Sequence, residues 1–161
     1  MNKYFLVLSL IAGAALTYAD ARSEIKASFQ KVEKAAMAKD IKGAEAAYKE
    51  SVTSDFKYVQ DGKTQDFKTF LANFTASIAM TDKVISHSTR IISLKESGNK
   101  AFGEIERKMT GTMKADGKKT QTFDWIGVFT EEYRKVRGKW KTATMTAGKQ
   151  KFLVDGKPFK M

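Results

Sequence analysis

Apolar residues follow one rhythm up to about residue 80 and another beyond it. Ile25, Phe29, Val32 and Ala36 recur at spacings of four, three and four, a single stripe on an amphipathic helix. Ser23 stands where the N-cap of that helix belongs. Asp40 is the expected cap of a second helix, with Ile41, Ala44, Tyr48 and Val52 at helical spacing. Asp55–Val59 then alternates as a short strand does and runs into the turn signal Gln60-Asp61-Gly62-Lys63. A third helix follows, with Asp66 near its start and Phe67, Phe70, Leu71, Phe74 and Ile78 on one face.

After Thr81 the pattern is that of sheet. Lys83–Leu94 is rich in β-branched residues and ends at Ser97-Gly98-Asn99, and Ala101–Met113 alternates and ends at Asp116-Gly117. Thr120–Val136 carries Phe123, Trp125, Phe129 and Tyr133 at one parity, hence on one face of the pleat. Arg137-Gly138 turns the chain into Lys139–Thr146, and a further short strand is expected within Gln150–Met161, before Asp155-Gly156-Lys157. Glycine turns between long strands predict an antiparallel meander. Helices first and strands afterwards make an α+β fold, helices on one face of the sheet, in a single domain over residues 22–161.

Residues 1–21 read as a signal peptide. Met1-Asn2-Lys3 is a short basic start, Tyr4–Leu16 is an apolar run, and Ala19-Asp20-Ala21 is a small-x-small cleavage site. Cutting after Ala19 is the nearby alternative. The run is shorter than the roughly 20 residues that span a bilayer. Removing 21 of the 161 residues leaves 140, enough to bury a core without disulfides. Export to the periplasm or the exterior of a bacterium is the expectation.

Composition narrows the chemistry. With no cysteine and one histidine, the chain excludes a disulfide framework, a cysteine nucleophile and zinc held by His and Cys. No cofactor and no metal is expected. The charge is +11, from 29 basic and 18 acidic residues, and the segment Arg134–Met161 alone carries nine basic residues against Asp155. Lysines number 24 and arginines five, whereas base and phosphate recognition favours the forked guanidinium. Nucleic acid is therefore not an expected partner. The basic segment reads as a solvated face or a weak contact for an anionic surface.

The order helix, Lys39-Asp40, helix, Asp55-Phe56-x-Tyr58-Val59, Asp61-Gly62, helix and long strands resembles the nuclear transport factor 2-like superfamily, its SnoaL-like exported branch in particular. The segment from Val128 to Lys141, with Gly138-Lys139-Trp140-Lys141, is similar to the family's last two strands and their glycine turn. The likeness covers residues 23–146. It implies a cone of three N-terminal helices on a strongly bent, mainly antiparallel sheet, with an open, largely apolar pocket at its mouth. It also implies a homodimer through the outer face of the sheet. Enzymes with such a cone are isomerases, dehydratases, cyclases and hydrolases that use buried Asp, Glu, His or Tyr groups.

Candidate groups for that chemistry are Tyr48, Asp55, Tyr58, His87, Arg90, Asp124 and Tyr133. His87 titrates nearest neutrality, in the polar stretch Ser86-His87-Ser88-Thr89-Arg90. Strand parity groups it with Ile85, Thr89 and Ile91 and groups Arg90 with Val84, Ile92 and Leu94, so both faces carry apolar residues. Asp55 is a second catalytic candidate, or else a cap or turn acceptor. Glu104, Glu106 and Lys108 share a face and read as a solvated ladder. Tyr48, Tyr58, Trp125, Phe129 and Tyr133 are the ligand-binding candidates, with core or dimer surface as the structural alternative. The favoured function is binding of a small apolar or amphipathic molecule. Catalysis by an isomerase, dehydratase or hydrolase mechanism is the second reading, and docking to a protein or anionic surface the third.

Overall fold

The computed structural model describes residues 20–115 and 119–159. The apolar leader and the expected Asp116-Gly117-Lys118 turn lie outside the described residues. Three helices and seven strands follow in the order α1 (Ala21–Met37), α2 (Ile41–Ser51), β1 (Val52–Gln60), β2 (Lys63–Asp66), α3 (Phe67–Met80), β3 (Thr81–Ser97), β4 (Lys100–Ala115), β5 (Lys119–Val136), β6 (Lys139–Val154) and β7 (Lys157–Pro158). The architecture is α+β with a large, mainly antiparallel sheet in the order β2-β1-β6-β5-β4-β3. Only β1 runs parallel to its neighbour β6. The short β7 pairs with the end of β6.

Each helix starts on an aspartate. Asp20, Asp40 and Asp66 accept hydrogen bonds from the backbone N–H groups of Ser23, Gly43 and Thr69, satisfying donors that a helix leaves free at its first turn. Asp20, rather than Ser23, therefore caps α1, and Ser23 supplies the N–H that Asp20 receives. The α1 stripe Ile25, Phe29, Val32 and Ala36 is buried along its whole length. Val52 lies past the end of α2 and opens β1.

One helix touches four strands. Ile25 and Phe29 share a core with Ala101 and Ile105 of β4, Tyr133 of β5 and Trp140 of β6, and Ile91 and Leu94 of β3 pack against it. Four strands laid flat span about 14 Å between the outermost pair, wider than a helix about 10 Å across. The sheet therefore curls round α1. Bulges allow the curl, since an extra residue bends and twists the strand that holds it. In β3, Asp82, Ile85 and Ile92 stand unpaired between successive partners on β4. Ile85 and Ile92 are accordingly 48% and 41% exposed. These bulges reset the parity, so His87, Thr89 and Ile91 face inward while Arg90 faces out. A strict two-residue period groups Ile85 with His87 and is wrong for that reason.

In β6 the ladder to β5 jumps from Gln150 to Ala147, where Gly148 and Lys149 have no partners. A Cβ on Gly148 would stand 2.8 Å from the Val128 carbonyl oxygen. The separate strands expected before and after residue 148 are thus one long strand interrupted by a glycine bulge. The hairpins at Asp61-Gly62, Arg137-Gly138 and Asp155-Gly156 all have positive φ at both turn residues, the two-residue turn that suits a twisted ladder.

Candidate functional site

Between α3 and the concave face of the sheet lies a cavity of about 450 Å³, within the range of ordinary small-molecule sites. Its walls come from several elements. Helix α3 turns Phe70 and Phe74 into it while sending Leu71 and Ile78 to the core. Strand β5 supplies Trp125 and Phe129, β4 supplies Met109, and β6 supplies Met145 and Phe152. Tyr48 of α2 and Tyr58 of β1 complete the aromatic lining, Tyr48 meeting Phe74 edge-on at 4.8 Å and Tyr58 meeting Phe70 at 5.2 Å. The rest of the lining includes the amides Gln60, Gln65, Asn73 and Gln150. These are paired: Tyr58 Oη donates to Gln60, Asn73 to Gln65 and Trp125 Nε1 to Gln150.

A buried ion pair sits beneath this lining. Arg107 of β4 places Nη1 2.5 Å from Glu131 Oε1 of β5, and their side chains are 8% and 0% exposed. The other carboxylate oxygen of Glu131 accepts from Tyr133 Oη at 2.6 Å. The guanidinium lies between Phe29 and Phe129, 5.2 and 5.0 Å from the ring centroids, and Nη1 also reaches Met145 Sδ at 3.6 Å. Burial, the largest single influence, opposes the charge on Arg107, but the carboxylate of Glu131 together with Tyr48 and Tyr133 outweighs it and raises the arginine pKa. Burial first, and then Glu131, raise the pKa of Tyr133 well above the usual phenol value. Opposite Arg107 on β5 stands Gly127. A Cβ there would come within 2.8 Å of both the Trp125 and the Phe129 rings, so glycine is what lets the two rings close together.

His87 of β3 also lines the cavity. Its pKa is lowered from 6.5 to about 4, by burial first and by the charge of Arg107 second. It is neutral at neutral pH, and its Nδ1 is buried without a hydrogen-bond partner. Among the described residues, no Asp or Glu side chain lines the cavity. Beyond Arg107 a narrow space of about 20 Å³ continues toward α1, with Tyr48, His87, Arg107 and Met145 forming the partition between the two.

Tyr48, Tyr58, Trp125, Phe129 and His87 are thus brought together at one cavity. Tyr133 is not on its wall: it is 1% exposed and lies in the core behind Arg107. Asp55 is on the surface, where Arg134 Nη2 contacts both its oxygens at 2.8 and 2.7 Å and lowers its pKa. Asp124 accepts from Thr110 of the neighbouring strand, and Arg90, Glu106 and Lys108 form an ion-pair ladder across the outer face. Arg107 and Glu131 are not among the candidates that residue type and spacing pick out. Their signal is nonetheless present, because Arg107 shares the parity of Ile105 and Met109, and Glu131 that of Phe129 and Tyr133. One charge on the apolar face of each of two long strands marks a pair.

No protein-family model matches this chain, and no curated protein sequence does. Solved structures do. LinA superposes with a TM-score of 0.64 at 19% identity, covering 86% of this chain and 88% of its own. The hexachlorocyclohexane dehydrochlorinase LinA-type3 from Novosphingobium barchaimii LL02 gives 0.59 at 16%, covering 79% and 84%. An NTF-2-like protein of unknown function from Shewanella oneidensis MR-1 gives 0.54 at 17%, covering 80% and 98%. At such identities the likeness is one of fold, and the fold is nuclear transport factor 2-like.

Two outcomes follow for stability. Glu131→Leu leaves a buried, unpaired guanidinium and should lower unfolding free energy by about 3–5 kcal/mol, whereas the double variant Arg107→Leu/Glu131→Leu should lose less than either single one in urea melts. For His87, the folded pKa lies below the unfolded 6.5. Its contribution is therefore complete above pH 6.5 and is lost as pH falls toward 4, a loss of about 1–3 kcal/mol. The stability difference between wild type and His87→Gln should change across that window. A difference independent of pH would contradict the shift.

Proposed function

We propose that this chain is an exported domain that binds a small apolar or amphipathic molecule in the cavity under α3, without transforming it. The observation that carries the reading is the lining: aromatic and thioether walls with no ionised carboxylate among them. General acid–base catalysis needs a group whose pKa lies near the working pH. His87 is held near 4 and has Arg107, not a carboxylate, as its charged neighbour. The second reading is an isomerase, dehydratase or hydrolase in the same pocket. It is favoured by His87 on the cavity wall and by the shared fold with a dehydrochlorinase. In this proposal the bent sheet forms the cone of a SnoaL-like exported domain, and its outer face serves a homodimer. The basic C-terminal segment adds a weak contact for anionic surfaces.

Binding is testable with Nile red, an uncharged apolar dye. Its fluorescence should rise saturably with wild-type protein, and Trp125→Ala should weaken the dye's affinity several-fold while leaving the fold intact by circular dichroism. An unchanged isotherm would remove Trp125 from the binding wall.

The place of cleavage bears on the start of α1. Asp20 caps α1 and Ala21 is fully buried. Cleavage after Ala19 keeps both, whereas cleavage after Ala21 removes a cap worth about 1 kcal/mol. We therefore expect the secreted chain to begin at Asp20, with its intact mass as the check.

A further inference from the structure

The cavity's polar groups are not equally occupied. The amide carbonyl oxygens of its lining each accept from a neighbour, Gln60 from Tyr58, Gln65 from Asn73 and Gln150 from Trp125. Arg107 and His87 differ. Arg107 makes its contacts with Glu131 and Met145 through Nη1 alone, so of its five N–H donors those on Nε and Nη2 have no acceptor among the described residues. His87 Nδ1 is buried without a hydrogen-bond partner. The two residues sit diagonally on adjacent strands, because Thr89 pairs with Arg107 and His87 with Met109. Side chains in that relation stand about 7–8 Å apart at their bases, within reach of one small group between them.

Charge decides what kind of group. Glu131 already neutralises Arg107, and no other ionised side chain lines the cavity among the described residues. A ligand anion or cation would be buried there without a counter-charge. A donor alone would face the unmatched N–H groups of Arg107. An acceptor alone would suit only the tautomer that carries its proton on Nδ1. A hydroxyl is both donor and acceptor, so it suits the arginine and either tautomer of the imidazole.

We propose that the ligand is an uncharged apolar molecule bearing a hydroxyl, an alcohol or phenol, whose oxygen sits between Arg107 and His87 while its body lies among Phe70, Phe74, Trp125 and Phe129. This rests on the binding reading above. The test is a matched series, 2-naphthol, naphthalene and 2-naphthoate, titrated into the full secreted chain at pH 7 by calorimetry. The expected order has 2-naphthol about fivefold or more tighter than either of the others, the worth of one or two net hydrogen bonds. His87→Phe should lower the ratio of naphthol to naphthalene affinity. Equal affinity for naphthol and naphthalene would overturn the hydroxyl while leaving apolar binding standing. Tighter binding of naphthoate would overturn it in favour of an anion site at Arg107. Failure of all three to bind would overturn the hydroxyl and the binding reading together. The series is measured on the wild-type chain, so its outcome does not depend on whether His87→Phe folds.

Discussion

A guanidinium and a carboxylate taken out of water each lose several kcal/mol of hydration, and only close mutual contact returns it. The Arg107–Glu131 pair stands under that constraint, and its surroundings answer it. The ion pair bridges adjacent strands, Tyr133 completes the carboxylate, and two phenyl faces cover the cation. Phe29 belongs to the helix core and Phe129 to the cavity wall. The pair therefore sits on the boundary between the part of the molecule that is filled and the part that is open.

The open part owes its room to defects in the strands. Unpaired residues in β3 and β6 bend the sheet away from a plane, and Gly127 makes space where two rings approach. Helix α3 carries two apolar directions instead of one. Leu71 and Ile78 anchor it, while Phe70 and Phe74 remain half-buried above the sheet. On this side of the cavity the rings pack against one another, as in the edge-on contact of Tyr48 with Phe74.

The chemistry of the site follows from the same arrangement. Burial and a neighbouring cation keep His87 neutral, and the carboxylate of Glu131 is already engaged by Arg107 and Tyr133. Such a floor offers hydrogen bonds without net charge.

The three helices, the Asp40 cap, the glycine hairpins and the aromatic parity of β5 were all legible in the residues, because they depend on neighbours within a few positions. Tyr48, Tyr58, Trp125 and Phe129 were likewise legible as candidates by type and spacing. What tertiary structure decided was sidedness and pairing. A bulge at Ile85 turned that residue outward and His87 inward against a simple two-residue period. A glycine bulge joined two expected strands into one. Asp55 went to the surface with Arg134, 79 residues away, and Tyr133 to the core. The Arg107–Glu131 pair needs two strands in one register before either charge has a partner. Local pattern carries the elements, whereas register and curvature arise only when distant segments close on each other.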